Sequence, residues 1–288
     1  MLTEKDIQQL GKSYSGQAPS SDVHYIVEQA FRELQSRWRY ADNDAKKSEM
    51  EVDFTKLQEL KGNVKSLNAD AQYELFMLAS SNDMSTFRFA LDKVVLSYIR
   101  SFGKILARND VARGGWDGKQ YATQSIANDP VYQEFYTLLP KLSSEERAKL
   151  SGLREDLKLL GHGSVQSSFF GALGAITSFS GLYRQEQLDF FLDGDALRYE
   201  RQYKQHLSLE ARGNLFFVLS CLGGNERQSL LQIAPDVASL RNRSDQAHFL
   251  RSLWSVSSPE NQSFFLDGQA GAIDYMTRYR PFLPSQRA

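Results

Sequence analysis

Two aspartates flank a glycine in "FFLDGDA", residues 190–196, and the run "FFLDG" recurs at residues 264–268. Asp193 and Asp195 could together hold a divalent cation through their carboxylate oxygens. The second copy has Gln269 where the first has Asp195, although Phe, Leu, Asp and Gly persist. An EF-hand needs more oxygen ligands at fixed spacing, ending in Glu, and these are missing. The copies share a helix end and its turn. Gly194 and Gly268 can take positive φ, and the aspartate before each can bond nearby backbone N–H groups. The motif therefore reads as a repeated structural unit, and no metal site is expected.

Other chemistries find little support. The four histidines, His24, His162, His206 and His248, lack the HExxH spacing that sets two ligands on one helical face. Cys221 lies in "LFFVLSCLGG", where an inert buried thiol is expected. No G-x-S-x-G elbow occurs. The glycine-rich stretch at 161–183 lacks both a preceding strand and the Gly-Lys-Ser/Thr of a phosphate loop. No catalytic residue and no cofactor is assigned. The alternative is an enzyme or toxin-like effector with a site in a cleft between two helical parts, for which Asp193, Asp195, His162 and Arg198 are the groups to test.

An aromatic offers the better lead. Trp116 sits in "RGGWDGK", among residues that favour turns, with Arg108, Arg113 and Lys119 nearby. A tryptophan at a loop tip turns either to the protein's own core or to a partner, and aromatic and arginine anchors dominate many interfaces. These four residues are the expected partner-binding set. Trp38, between Arg37 and Arg39, falls instead on an apolar helical face and reads as core.

The elements that position these residues are helical. Thr3 and Asp6 resemble a weak cap for a short first helix, and residues 13–21 read as a connector. Val23, Ile26, Ala30, Leu34, Trp38 and Ala41 recur at three and four residues; after "DNDAKKSE", Met50, Phe54, Leu57 and Val64 resume the stripe. This predicts a helical hairpin or one long interrupted helix. Asn68 and Ser81–Asp83 resemble further caps, the second opening a stripe from Met84 through Phe87, Leu91, Val94, Tyr98 and Phe102 to Ile105. Residues 109–130 form the longest irregular stretch, of a length that is often functional. Ser143 with Glu146 has capping-box spacing.

The C-terminal half repeats. Glu186 and Phe190–Gly194 match Glu260 and Phe264–Gly268, and a weaker copy keeps Glu226, Leu230 and Leu231. Ser208 and Ser244 read as caps, each with alanine three residues on. Such spacing is that of stacked helical hairpins. In residues 161–183, Ser167, Gly171 and Ala175 form a small-residue stripe beside bulky Val165, Phe169, Leu173 and Ile176. That segment reads as a buried central or subunit-contact helix and is too polar for a membrane span.

The expected fold is all-α: a helical bundle followed by an irregular, solenoid-like array of α-helical hairpins. The expected division is a flexible segment at 1–21, a helical part at 22–108, a linker at 109–130 and a repeat part at 131–288. The chain has 288 residues, 41% apolar and 24% charged, enough for a substantial core with a solvated surface. A net charge of −1 without a basic segment argues against general nucleic-acid binding. A single cysteine excludes a disulfide framework within the chain, and the N-terminus has no apolar run, so the cytoplasm is the expected compartment. The function expected is that of a non-catalytic adaptor, scaffold or structural subunit that binds protein partners. A homo-oligomer through the helix at 163–182 is a further expectation.

Overall fold

The computed structural model describes residues 3, 5–9, 22–64, 75, 84–102, 105–106, 130–178, 184–240, 242–256, 259–267 and 271–278. Among the described residues every regular element is helical and none is a strand, so the protein is all-α. The chain divides into two compact units. The first comprises Met1–Leu106 with Asp110–Lys141, and the second Leu142–Ala288 with Ala107–Asn109.

In the first unit, Thr3 Oγ1 accepts from the Asp6 amide at 3.3 Å while Asp6 Oδ2 accepts from the Thr3 amide at 2.8 Å, so the weak cap expected there is formed in both directions. Helices α1 (Asp22–Arg39) and α2 (Asp44–Val64) form a hairpin, because Asn43 Oδ1 caps the Lys46 amide at 2.9 Å and starts a new helix. Ala30, Phe31, Leu34 and Trp38 of α1 are buried, as are Met50, Phe54 and Leu57 of α2, with Phe31 and Phe54 5.7 Å apart. Trp38 thus belongs to the core.

The long stripe beginning at Met84 is not one helix. It breaks at Leu91–Asp92 into α3 (Met84–Ala90) and α4 (Lys93–Phe102). Leu91 and Val95 are both buried across the break, so the apolar spacing survives while the backbone turns. Arg88 pairs with buried Asp53 and with Glu49, each at 3.0 Å, and ties α3 to α2. Phe102 meets Phe135 of α5 (Pro130–Leu138) at 4.5 Å, and a 3₁₀ turn, Leu139–Lys141, closes the unit against α3.

The second unit begins with α6 (Ser144–Gly152), whose capping box of Ser143 and Glu146 is formed in both directions. It continues through α7 (Arg154–Leu159), α8 (Gly163–Ser178), α9 (Arg184–Leu192), α10 (Asp195–Tyr203), α11 (Leu209–Cys221), α12 (Gly224–Gln232), α13 (Ala234–Ser239), α14 (Arg243–Ser255), α15 (Pro259–Leu266) and α16 (Ala272–Arg278). The order is a pair of short helices and then a longer one, three times over, before the pair α15–α16. The longer helices α8, α11 and α14 pack in a row with α11 in the middle. Phe169, Phe191 and Phe216 fill the space between α8, α9 and α11, the first 5.5 Å and 5.3 Å from the other two.

The "FFLDG" copies occupy one position in this order, the end of the first short helix of a pair, in α9 and α15. Gly194 adopts φ 85°, the left-handed turn expected of it, whereas Gly268 lies outside the described residues. In the weaker copy, in α12, the register is one residue off. Leu230 is fully buried like Phe191, while Leu231, aligned with Phe191 by sequence, is only half-buried. The cap of α14 also differs from expectation. Asn242, two residues earlier than Ser244, is the cap and accepts from the Asp245 amide at 2.8 Å, because asparagine caps as well as serine. Asn68 and Ser81–Asp83 lie outside the described residues.

One recurring feature has no counterpart in the aligned letters. The fourth residue of each longer helix is polar and buried: Gln166 in α8, Arg212 in α11 and Gln246 in α14. Gln166 donates to Leu157 O at 2.9 Å, and Gln246 donates to Ala238 O at 3.4 Å, each in the short helix just before. Arg212 donates to Leu160 O at 3.0 Å and Gln246 to His206 O at 3.0 Å; those carbonyls lie in the linkers entering α8 and α11, the preceding longer helices. Linker carbonyls turned toward the protein need donors, and the following helix group supplies them. Arg212 is neutralised by Glu200 of α10, with side chains 7% and 1% exposed.

Candidate functional site

The outward residues of α8, α11 and α14 make the most distinctive surface of the second unit. On α8 the buried side is Val165, Phe169, Leu173 and Ile176, and the small residues Ser164, Ser168, Gly171, Ala175 and Ser178 remain half or fully exposed. The bulky stripe is therefore core, as its spacing implies, while the small stripe of Ser167, Gly171 and Ala175 is partly exposed. Ser168 and Gly213 set the approach of α11: a Cβ on Gly213 would lie 2.6 Å from Ser168 Oγ. Helix α11 adds Glu210, Asn214, Phe217 and Cys221, spaced by four and three, on its outward side.

Helices α11 and α14 run parallel. Their starts meet where Ser208 Oγ donates to Arg243 O at 3.3 Å, their middles where Asn214 Nδ2 donates to Ala247 O at 2.9 Å, and their ends where Phe217 meets Trp254. The Phe217 and Trp254 rings are 5.2 Å apart at 44°, and Trp254 is 45% exposed. Large aromatics left in water at a helix end are costly to expose, and they give a partner ready contact area. The Glu210–Arg251 pair, 3.1 Å apart with both side chains well exposed, adds polarity but little stability.

Cys221 corrects an expectation. It is exposed rather than buried, because it continues the outward series Glu210, Asn214, Phe217 instead of the buried series of α11. Partial desolvation still pushes the thiol above its ordinary value, against the opposing hydrogen bonds from Ser220 and Trp254, so it carries no activated thiolate.

The acidic turn behaves as structure. Asp193 is held by Lys149 at 3.1 Å, so its carboxylate is engaged across to α6 rather than on backbone N–H groups. Asp195 pairs with Arg198 within one helical turn. His162 Nδ1 contacts Ser164 Oγ at 2.8 Å and accepts from the Ser164 amide at 3.3 Å, at the start of α8. These four groups are thus taken up by three separate contacts. No cluster of three metal-binding side chains occurs among the described residues.

Another polar group was missed in the sequence altogether. Arg227 of α12 is buried, donates to Gln187 Oε1 and lies 3.7 Å over the Phe190 ring, while Gln187 donates to Leu222 O at 2.9 Å. Burial pushes the guanidinium down from its ordinary value, with Glu186, Tyr199, Asp195 and Glu226 pulling it back up. Through Gln187 and the Phe190 ring this arginine joins α9 to α12.

Trp116, Arg113, Lys119 and Arg108, the partner-binding residues expected from sequence, lie outside the described residues. Trp254 carried a signal that could have been used: it falls one residue beyond Leu253 and so leaves the buried series Ala247, Leu250, Leu253. No helix among the described residues is long and apolar enough to cross a membrane. Comparison with protein-family models, with curated proteins and with solved structures returns no match.

Proposed function

We propose that this protein is a non-catalytic α-helical adaptor, scaffold or structural subunit of a multiprotein assembly, working in the cytoplasm. The partner docks on the outward side of α8, α11 and α14. One observation carries the reading: Phe217 and a 45% exposed Trp254 meet, 5.2 Å apart, at the edge of a row of helices of which α8 presents small, uncharged residues. Such a surface offers a close approach and an aromatic anchor, the two things a protein interface uses. The recurring short-pair-and-long-helix order, with its buried polar fourth position, supports a solenoid-like array as the scaffold for that surface. A second copy of the chain on the small stripe of α8 is the homo-oligomeric form of the same proposal. The residues Trp116, Arg113, Lys119 and Arg108 remain proposed as an additional contact.

The test is quantitative affinity purification of the tagged full chain beside Trp254→Ala and Trp116→Ala. A stoichiometric partner recovered with the wild type and reduced at least about fivefold by Trp254→Ala, in a variant that keeps its melting curve, is the expected result. Recovery unaffected by Trp254→Ala removes the α8–α11–α14 surface from the proposal.

A further inference from the structure

We infer that the Phe217–Trp254 pair receives a cationic side chain, arginine or lysine, from a segment of the partner protein; this deepens the protein-binding proposal and rests on it. Three features of the molecule agree.

The first is the rings themselves. An aromatic face carries negative charge density, and tryptophan holds a cation best. Three faces elsewhere in this chain already have one: Arg227 lies 3.7 Å from the Phe190 centroid, Lys47 5.1 Å from that of Trp38 and Arg37 5.3 Å from that of Phe87. Phe217 and Trp254 have each other and, among the described residues, no cation over either ring.

The second is where they stand. Helices α11 and α14 are parallel, and the pair occupies their shared C-terminal end. Neither helix has a basic residue in its last turn. Four carbonyls there accept from neutral side chains. Ser220 Oγ donates to Phe217 O at 2.7 Å, Ser255 Oγ to Ser252 O at 2.8 Å, Gln187 Nε2 to Leu222 O at 2.9 Å and Gln262 Nε2 to Val256 O at 3.2 Å. These bonds satisfy hydrogen-bonding demand through neutral side chains; Arg227 stands behind Gln187 at the end of α11, whereas α14, which carries Trp254, has no basic residue in its own last turn to meet the negative end of its dipole.

The third is the fate of the neighbouring cation. Arg251, one turn before Trp254, is directed to Glu210, toward the other end of α11, by their ion pair. The electrostatics therefore select against an anionic side chain, and a neutral apolar one gains contact area alone.

The full chain is immobilised and offered heptapeptide pools with randomised flanks and a central residue fixed as Arg, Lys, citrulline, Leu or Glu. The Arg and Lys pools are expected to be retained about fivefold over citrulline and Leu, with Glu weakest, as a single cation over a partly exposed ring provides. Trp254→Leu keeps apolar bulk and removes that preference. Ser255→Lys leaves the rings intact, supplies the missing charge, and lowers Arg and Lys retention while sparing the Leu pool. Thermal melts of both variants verify folding. Equal retention of Arg and citrulline overturns the inference, as does a Ser255→Lys variant that still prefers Arg. A Leu pool retained best through Trp254 overturns it too, yet leaves the docking surface standing. No pool retained above the Trp254→Leu background overturns both.

Discussion

Lys149 reaches Asp189 and Asp193 at 3.0 and 3.1 Å, fastening α6 to the end of α9 through one ammonium group. The hydrogen bond from Lys149 holds the Asp189 carboxyl below its ordinary range, and the bonds to Asp189 and Asp193 raise the lysine. A carboxylate lowered by folding stabilises the native state above its unfolded value and loses that contribution as pH falls through the folded one. A lysine raised by folding loses its contribution only at the alkaline end. Lys149→Met is therefore expected to be less stable than wild type at neutral pH, with the gap closing below about pH 4. Urea midpoints measured from neutral to acid conditions check this; a gap that stays constant through the acid range rules the bridge out as its cause. The aspartates at this turn were legible as structural because Gln269 replaces one of them in the second copy. Their partner was not, since Lys149 stands 40 residues before Asp189 and no local pattern links them.

At the scale of elements, the fourth residues of α8, α11 and α14 govern how one helix group joins the next. Arg212 is the extreme case: its side chain is 7% exposed and its carboxylate partner, Glu200, 1% exposed, with Glu200 Oε2 lacking a further hydrogen-bond partner. Removing one member strands a buried charge. Glu200→Met or Arg212→Met alone should cost about 3–5 kcal/mol, and the double replacement should recover much of that loss. Denaturant titration of the four proteins in a double-mutant cycle measures it; additive losses would show that the pair is uncoupled. Helix existence was readable wherever apolar residues kept three-and-four spacing. Breaks inside such a stripe were not, as Leu91–Asp92 demonstrates, because burial on both sides of a turn preserves the spacing. The polar positions escaped notice because Gln, Arg and Gln share no letter pattern, only a place and a carbonyl to satisfy. Cys221 was misjudged for a related reason: its apolar neighbours in sequence point to the other side of α11.

For the whole molecule, the division at Lys141 and Leu142 gives each part its own buried aromatics. Phe31, Phe54, Phe102 and Phe135 serve the first; Phe169, Phe191, Phe216 and Phe249 serve the second. A part with its own core can in principle fold alone. Residues 142–288 expressed by themselves should retain a helical circular-dichroism spectrum and a single cooperative thermal transition; a broad, non-cooperative melt would show dependence on the first part. All-α character was evident from the sequence because no Val/Ile/Thr alternation competes with helical periodicity. The exposed Phe217–Trp254 pair was harder to see, since it is made by two helices brought side by side and belongs to neither alone.

The reach of Arg212 back to Leu160, and of Gln246 back to His206, also sets an order in time. A chain leaving the ribosome presents each linker carbonyl before the donor that will satisfy it has been synthesised. The entrance to α8 stays unsealed until Arg212 emerges, and the entrance to α11 until Gln246 does. Translation thus closes the second unit like a row of latches thrown from behind, each fastened by the segment that follows. A message cut short after Leu207 would yield a chain whose Glu200 has no arginine to meet and whose Leu160 carbonyl has no donor, a product marked for proteolysis by its own unfinished chemistry.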